Sequence, residues 1–325
     1  MAHEALLTEP TDVTLFLDYL ASRGRKESTI RRYRYDLQDF YAFISVELEE
    51  DRPPASKRIT PSLLEGYFSL LAEGRHYHAK TIKRIHTVLL RYFSFLHSTQ
   101  RIASNPMTGI TAEEAVTESL QEKDLVYPAE VKKLFHSLRS DAGLSARQAA
   151  VRPMLAPRNL LMIQLFLQHG LRLQELSTLT YRQVNLGKGE LAISEFTGNP
   201  RIVQLSAAEK KLFFQYFQLI PEPVRPSYPH HPVFVAFDFQ RQTYRWSYEN
   251  DAPKNLTEVA IQKMLREERR RAGIDRAFSA KHFRNTYIVN ELKKGISPEH
   301  MKETLGLQSI LTLNKYISFV NQADS

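Results

Sequence analysis

Cysteine is absent from this chain of 325 residues. Its absence excludes a disulfide framework, thiolate zinc sites and cysteine nucleophiles together, and makes the reducing cytoplasm the expected location. Long apolar runs are missing as well. The longest, LLMIQLFLQHGL, is interrupted by Gln164, Gln168 and His169 and falls short of the roughly 20 residues that cross a bilayer, so it reads as a buried helix and no membrane partner is expected. The opening MAHEALLTEP carries two glutamates and no extended apolar stretch, which does not fit a secretory leader. There is no phosphate-binding glycine loop and no carboxylate cluster of metal-site character, so neither a cofactor nor a metal is expected. The imidazoles of His76 and His78, and of His230 and His231, have no acidic partner at ligand spacing. Both pairs read as loop segments, the second one exposed between its flanking prolines.

What is present is positive charge. A net charge of +8 makes a polyanion the first partner to consider, and nucleic acid fits best. With 42% hydrophobic residues there is material for real cores, and 325 residues is long for one domain and comfortable for two.

Helical periodicity runs from Thr11 to about Asn105, in four stretches that predict a small all-α domain over residues 1–105. In STIRRYRYDLQDFYAFI, Ile30, Tyr33, Leu37, Phe40, Tyr41 and Ile44 form one stripe, with Ser28 as the expected N-cap. Arg31, Arg32 and Arg34 occupy the other face. KTIKRIHTVLLRYFSFL repeats the arrangement, with Lys80, Lys83, Arg84 and Arg91 outward. Such faces are either ordinary solvated surface or a track for phosphates, and Arg31, Arg34, Lys80, Lys83 and Arg84 are the candidate DNA contacts. Residues 106–125 lack a lasting period and read as a linker. A second domain, 126–325, opens on a helix with Pro128 in its first turn. The one β region is QVNLGKGELAISEFTGNPRIVQL, where Leu191, Ile193, Ile202 and Val203 flank two turns. The expected class is therefore mainly α with a small antiparallel sheet. REERRRAG reads as a mixed-charge helix end closed by Gly273, or less simply as a DNA-backbone contact.

Three separated stretches carry the chemistry: HGLRLQELSTLT, AKHFRNTYIVNELKKG and LGLQSILTLNKY. Arg172 follows a buried helix directly, so its guanidinium sits beside the core and needs an anion, either Glu175 or a phosphate. Arg284 poses the same question on another helix. Here the chain resembles the tyrosine recombinase (phage integrase) superfamily, above all its bacterial Xer-like members. GLRLQEL matches the family's G-L-R-x-x-E-L box, KHFRNTY its H-x-x-R-H-T-F box, and LGLQSILTLNKY its L-G-H-x-x-I-x-T-x-x-x-Y box. The three occur in order, with a β-hairpin between the first and second, over nearly the whole length.

The resemblance implies a SAM-like core-binding domain followed by a DNA breaking-rejoining domain, acting on double-stranded DNA as a homo-tetramer on two sites or with another recombinase. It places catalytic arginines at Arg172 and Arg284, the nucleophile at Tyr316, and Lys281 at the position of the family's histidine base. Lys281 is then either a base of lowered pKa or one more phosphate donor. The hairpin's Arg201 is a further candidate DNA contact. Lys281 for histidine is one departure from the family's set, and three more accompany it. Phe196 stands where the family has a catalytic lysine, Asn285 replaces the histidine after the second arginine, and Leu307 replaces the last histidine or tryptophan. The expectation is a site-specific recombinase of weakened activity, or alternatively an inactive DNA-binding relative.

Overall fold

The computed structural model describes residues 9–111, 119–194 and 198–323, and these divide into two compact units, 1–118 and 119–325. The molecule is mainly α-helical with small antiparallel sheets.

The first unit holds α1 (Thr11–Ser22), α2 (Glu27–Glu47), α3 (Pro61–Ser69), which continues into one π-turn over Leu70–Gly74, and α4 (Ala79–Ser98). Its core is the apolar stripe of each helix. Phe16 and Leu17, Leu37, Phe40 and Ile44, Leu64, and Leu89, Phe93 and Leu96 are all buried. Burying a side chain of this size is worth about 1.5–3 kcal/mol, so the stripes account for the packing of otherwise polar helices. Ser28 lies inside the first turn of α2, whose N-cap position is held by Lys26 with no side-chain capping bond. Inside the core the hydroxyls of Tyr41, Ser56 and Tyr92 close on one another at 2.8 to 3.0 Å, satisfying three groups that burial would otherwise leave unpaired.

The expected linker is partly core. Met107 packs into the first unit, and Leu120 and Leu125 pack into the second. Residues 112–118 lie outside the described residues.

The second unit starts with α5 (Pro128–Arg139) and α6 (Ala146–His169), then α7 (Leu173–Ser177), a three-stranded antiparallel sheet of β1 (Val184–Asn185), β2 (Glu190–Ile193) and β3 (Arg201–Gln204), and α8 (Ala207–Leu219). β2 pairs with β3 from Glu190↔Gln204 to Ile193↔Arg201, which turns Leu191, Ile193 and Val203 to the core. Two further hairpins are absent from the sequence reading: β4 (Phe237–Asp238) with β5 (Thr243–Tyr244), and β6 (Trp246–Ser247) with β7 (Ala252–Pro253). Strands of two residues show no alternation to detect. The chain ends with α9 (Glu258–Arg271), α10 (Ala280–Lys293), α11 (Pro298–Thr304) and α12 (Asn314–Ala323). α10 is held between α6 and α12 and is buried along much of its length.

The charged run at the end of α9 serves the interior. Glu268 is buried between Arg152 and Arg271, and Arg269 donates to the carbonyls of Ile274 and Asp275. His231, expected in an exposed loop, is only 2% exposed; its Nδ1 accepts from the backbone N–H groups of Ser227 and Tyr228. Among the described residues no group of three or more His, Cys, Asp or Glu could hold a metal ion, and no helix is long and apolar enough to cross a membrane.

Candidate active site

α6 stops at Gly170, whose left-handed backbone reverses the chain and delivers Arg172 to the N-cap of α7. There Glu175 acts three ways. Its Oε2 accepts the Arg172 backbone N–H at 2.8 Å, its Oε1 takes the Arg172 guanidinium at 2.5 Å, and both oxygens bind Arg201 at 2.8 and 2.9 Å. Burial pushes the Glu175 carboxyl up, but Arg201 and then Arg172 overcome it and hold the pKa at about 2. Glu175 is thus a fixed anion that positions two arginines. Arg172 keeps a side chain 30% exposed. Arg201, read as a DNA contact, is only 5% exposed and engaged at both terminal nitrogens by Glu175, so its reach toward a ligand is spent internally.

Arg284 projects from the first half of α10. It donates to the Gly170 carbonyl and, at 3.3 Å, to the Leu305 carbonyl, which also accepts from Arg172 at 3.5 Å. Two guanidinium groups from separate elements therefore converge on one backbone oxygen. Burial, and then the positive charge of Arg172, lower the Arg284 pKa to about 10, which leaves it charged at neutral pH.

The loop that presents Leu305 is fastened to the β2–β3 hairpin. Asn199 donates its backbone N–H to the Gly306 carbonyl at 3.2 Å and its side-chain amide to the Leu307 carbonyl at 3.1 Å. Gly198 and Gly306 make the approach possible. A Cβ on Gly198 would lie 2.6 Å from the Gly306 oxygen, and one on Gly306 would lie 2.5 Å from the Asn199 oxygen. Leu307 is buried against Leu305, Leu313 and Tyr316, an apolar role in place of the polar one the family's box has there. Phe196, between β2 and β3 in sequence, lies outside the described residues.

Tyr316 stands in the first turn of α12, 6% exposed. Its hydroxyl donates to Asn285 Oδ1 at 2.8 Å, and Asn285 Nδ2 donates to the Asp124 carbonyl at 3.0 Å. Burial raises the Tyr316 pKa, Arg284 opposes the rise and Asp124 adds to it, so the side chain is a neutral phenol at neutral pH. Lys281 is exposed one turn before Arg284, on the same face of α10. Its neighbour His282, missed in the sequence, is half-buried. Its Nδ1 accepts the Ser279 backbone N–H at 3.1 Å, which assigns the ring proton to Nε2, and burial lowers its pKa.

In the first unit Lys80 and Lys83 are exposed, whereas three of the arginines already have carboxylates. Arg31 pairs with Glu27 at 3.1 Å, Arg34 with Glu9 at 2.9 Å, and Arg84 with the buried Asp36. Asp36 thereby ties α4 to α2.

Residues 13–100 match the family model described as phage integrase, N-terminal SAM-like domain, and residues 125–322 match that of the phage integrase family. A tyrosine recombinase XerC of Thermodesulfovibrio yellowstonii is 21% identical over 94% of this chain and 90% of its own. The Tn1549 transposon integrase, solved in complex with a circular intermediate DNA, superposes with a TM-score of 0.64 at 16% identity, over 97% of this chain and 98% of that one. A lambda integrase dimer bound to a COC' core site gives 0.60 at 16% identity, over 94% of each chain. The second family match spans every element that brings Arg172, Arg284 and Tyr316 into one cluster, and with it the chain belongs to the phage integrase family.

Proposed function

We propose that this protein is a site-specific DNA recombinase that works by tyrosine transesterification, at an attenuated rate. The observation that carries the reading is the convergence of Arg172 and Arg284 on the Leu305 carbonyl oxygen, inside the cluster that contains Tyr316. A pair of planar forks aimed at one oxygen suits the non-bridging oxygens of a phosphodiester.

In the reaction the Tyr316 oxygen attacks phosphorus and its proton departs. The bond from phosphorus to the 5′-oxygen breaks, a 3′-phosphotyrosine forms, and the 5′-hydroxyl leaves with a proton. A second 5′-hydroxyl reverses the step on a new partner, so bond energy is kept without nucleotide hydrolysis. Arg172 and Arg284 stabilise the charge that gathers on the pentacoordinate phosphorus. Lys281, exposed on their side of α10, is an additional phosphate donor as an ammonium, and could accept the tyrosine proton only as the free amine. The hairpin position from which the family protonates the leaving oxygen is Phe196, and loss of one such group is typically worth about 10² to 10⁴ in rate. DNA as the substrate is supported by the complexes in which the Tn1549 and lambda integrases were solved, and more than one protomer on it by the lambda integrase dimer.

A second reading, a DNA-binding relative that does not cleave, is favoured by one observation: the Tyr316 proton is held by an amide oxygen that cannot remove it. Incubation with a pool of nicked duplexes carrying randomised inverted repeats separates the two. Recombinase chemistry gives an SDS-resistant protein–DNA band that Tyr316→Phe abolishes. Sequence-selective binding with no such band at any pH would establish the non-cleaving reading instead.

A further inference from the structure

A phenol has one proton to donate, and Tyr316 gives it to Asn285. The amide is not free to turn. Asn285 is 2% exposed and its Nδ2 is engaged by the Asp124 carbonyl, so the network assigns Oδ1 to the tyrosine. Successive residues of a helix point about 100° apart, so Arg284 and Asn285 serve different sides of α10. Arg284 reaches Gly170 and Leu305, while Asn285 reaches Tyr316 and Asp124. The hydroxyl is therefore anchored beside the arginine pair rather than on it. Packing of Leu313, Tyr316 and Val320 against Ile288 and Val289 holds α12 in that seat.

We infer that Asn285 is a positioning residue that parks Tyr316 in reserve, its proton committed to an amide oxygen, and that cleavage begins only when DNA makes this hydrogen bond give way. The inference rests on Tyr316 being the nucleophile. An imidazole in place of Asn285 could accept the proton; a carboxamide cannot, and it therefore favours the neutral phenol. The charged groups facing the ring act against each other. Arg284 on α10 favours phenolate, Asp124 on the turn before α5 opposes it, and Lys315 of α12 lies over the ring at 4.8 Å.

Hydrogen exchange on the full-length protein tests the seat without DNA. Asn285→Ala and Tyr316→Phe remove the same bond from opposite ends, so each should speed exchange of the α12 amides about fivefold, as one buried hydrogen bond is worth, with the double variant no faster than either. Additive effects, or no effect, overturn the inference. In tyrosine-¹³Cζ spectra, the signal that disappears in Tyr316→Phe should titrate at lower pH in Asn285→Ala; an unmoved titration overturns it too. On nicked duplex, Asn285→Ala should form the covalent adduct faster than wild type, and a slower rate would assign Asn285 to the chemistry instead. No adduct with any of these proteins would remove the recombinase reading alone, since exchange and titration still decide whether the tyrosine is parked.

Discussion

Arg172 and Arg284 donate to the same oxygen, the Leu305 carbonyl, at 3.5 and 3.3 Å. The pair is held together before any ligand arrives, by Glu175 behind one arginine and the Gly170 carbonyl beside the other. A lysine keeps the charge at either place but loses the fork. Arg172→Lys and Arg284→Lys should each lower covalent capture of nicked DNA by about 10² to 10³ while changing duplex affinity little. Equal losses in both measurements would mean that the pair binds DNA without favouring the transition state.

Glu175 links stability to acid. Its folded pKa of about 2 lies below the ordinary glutamate value of 4.5, so its contribution is complete above pH 4.5 and is lost as pH falls toward 2. The full contribution is about 3 kcal/mol. Glu175→Gln should erase that part of the acid sensitivity and, by leaving Arg201 buried without a counter-charge, destabilise the protein at neutral pH by roughly 3 to 5 kcal/mol. Urea midpoints at pH 7, 4.5 and 3 for both proteins check this. Some acid sensitivity persists in the variant, because Glu130, Glu209 and Glu268 are also held low by basic partners.

The attenuation proposed for this chain has a direct chemical remedy. Phe196→Lys would restore a proton donor at the hairpin position and should raise single-turnover cleavage by about 10² or more, with Phe196→Ala giving no gain. Equal rates for all three proteins would place the leaving-group acid elsewhere, with His282 Nε2 the next group to remove.

DNA affinity should be electrostatic and steep in salt. For 6 to 10 phosphate contacts it should drop by about 10³ to 10⁵ between 50 and 200 mM salt. Lys80→Ala and Lys83→Ala should each make the slope of log K against log salt shallower by about one, with similar losses on unrelated duplexes. Loss confined to one sequence would instead assign these lysines to base contacts.

Arg172, Arg284 and Tyr316 were legible because each sits in a motif whose order survives in the linear chain. The stripes of α2 and α4 were legible because a 3.6-residue period is a property of sequence. The rest depends on distance through space. Arg201 looks like any basic strand residue until Glu175 is found beneath it. The Asn285 substitution could be seen in the motif, but its hydrogen bond to Tyr316 joins residues 31 apart. His231 was misplaced because adjacent prolines suggest exposure, whereas its ring is drawn inward by two backbone donors. The strands β4 to β7 are defined by their partners and not by any pattern of their own.

Gly198 and Gly306 bring two backbones together with no side chain between them. A joint of this kind has no rotamers to absorb displacement, so the hairpin and the loop carrying Leu305 behave as one lever. A displacement of the hairpin would therefore move the Leu305 carbonyl that both arginines grasp.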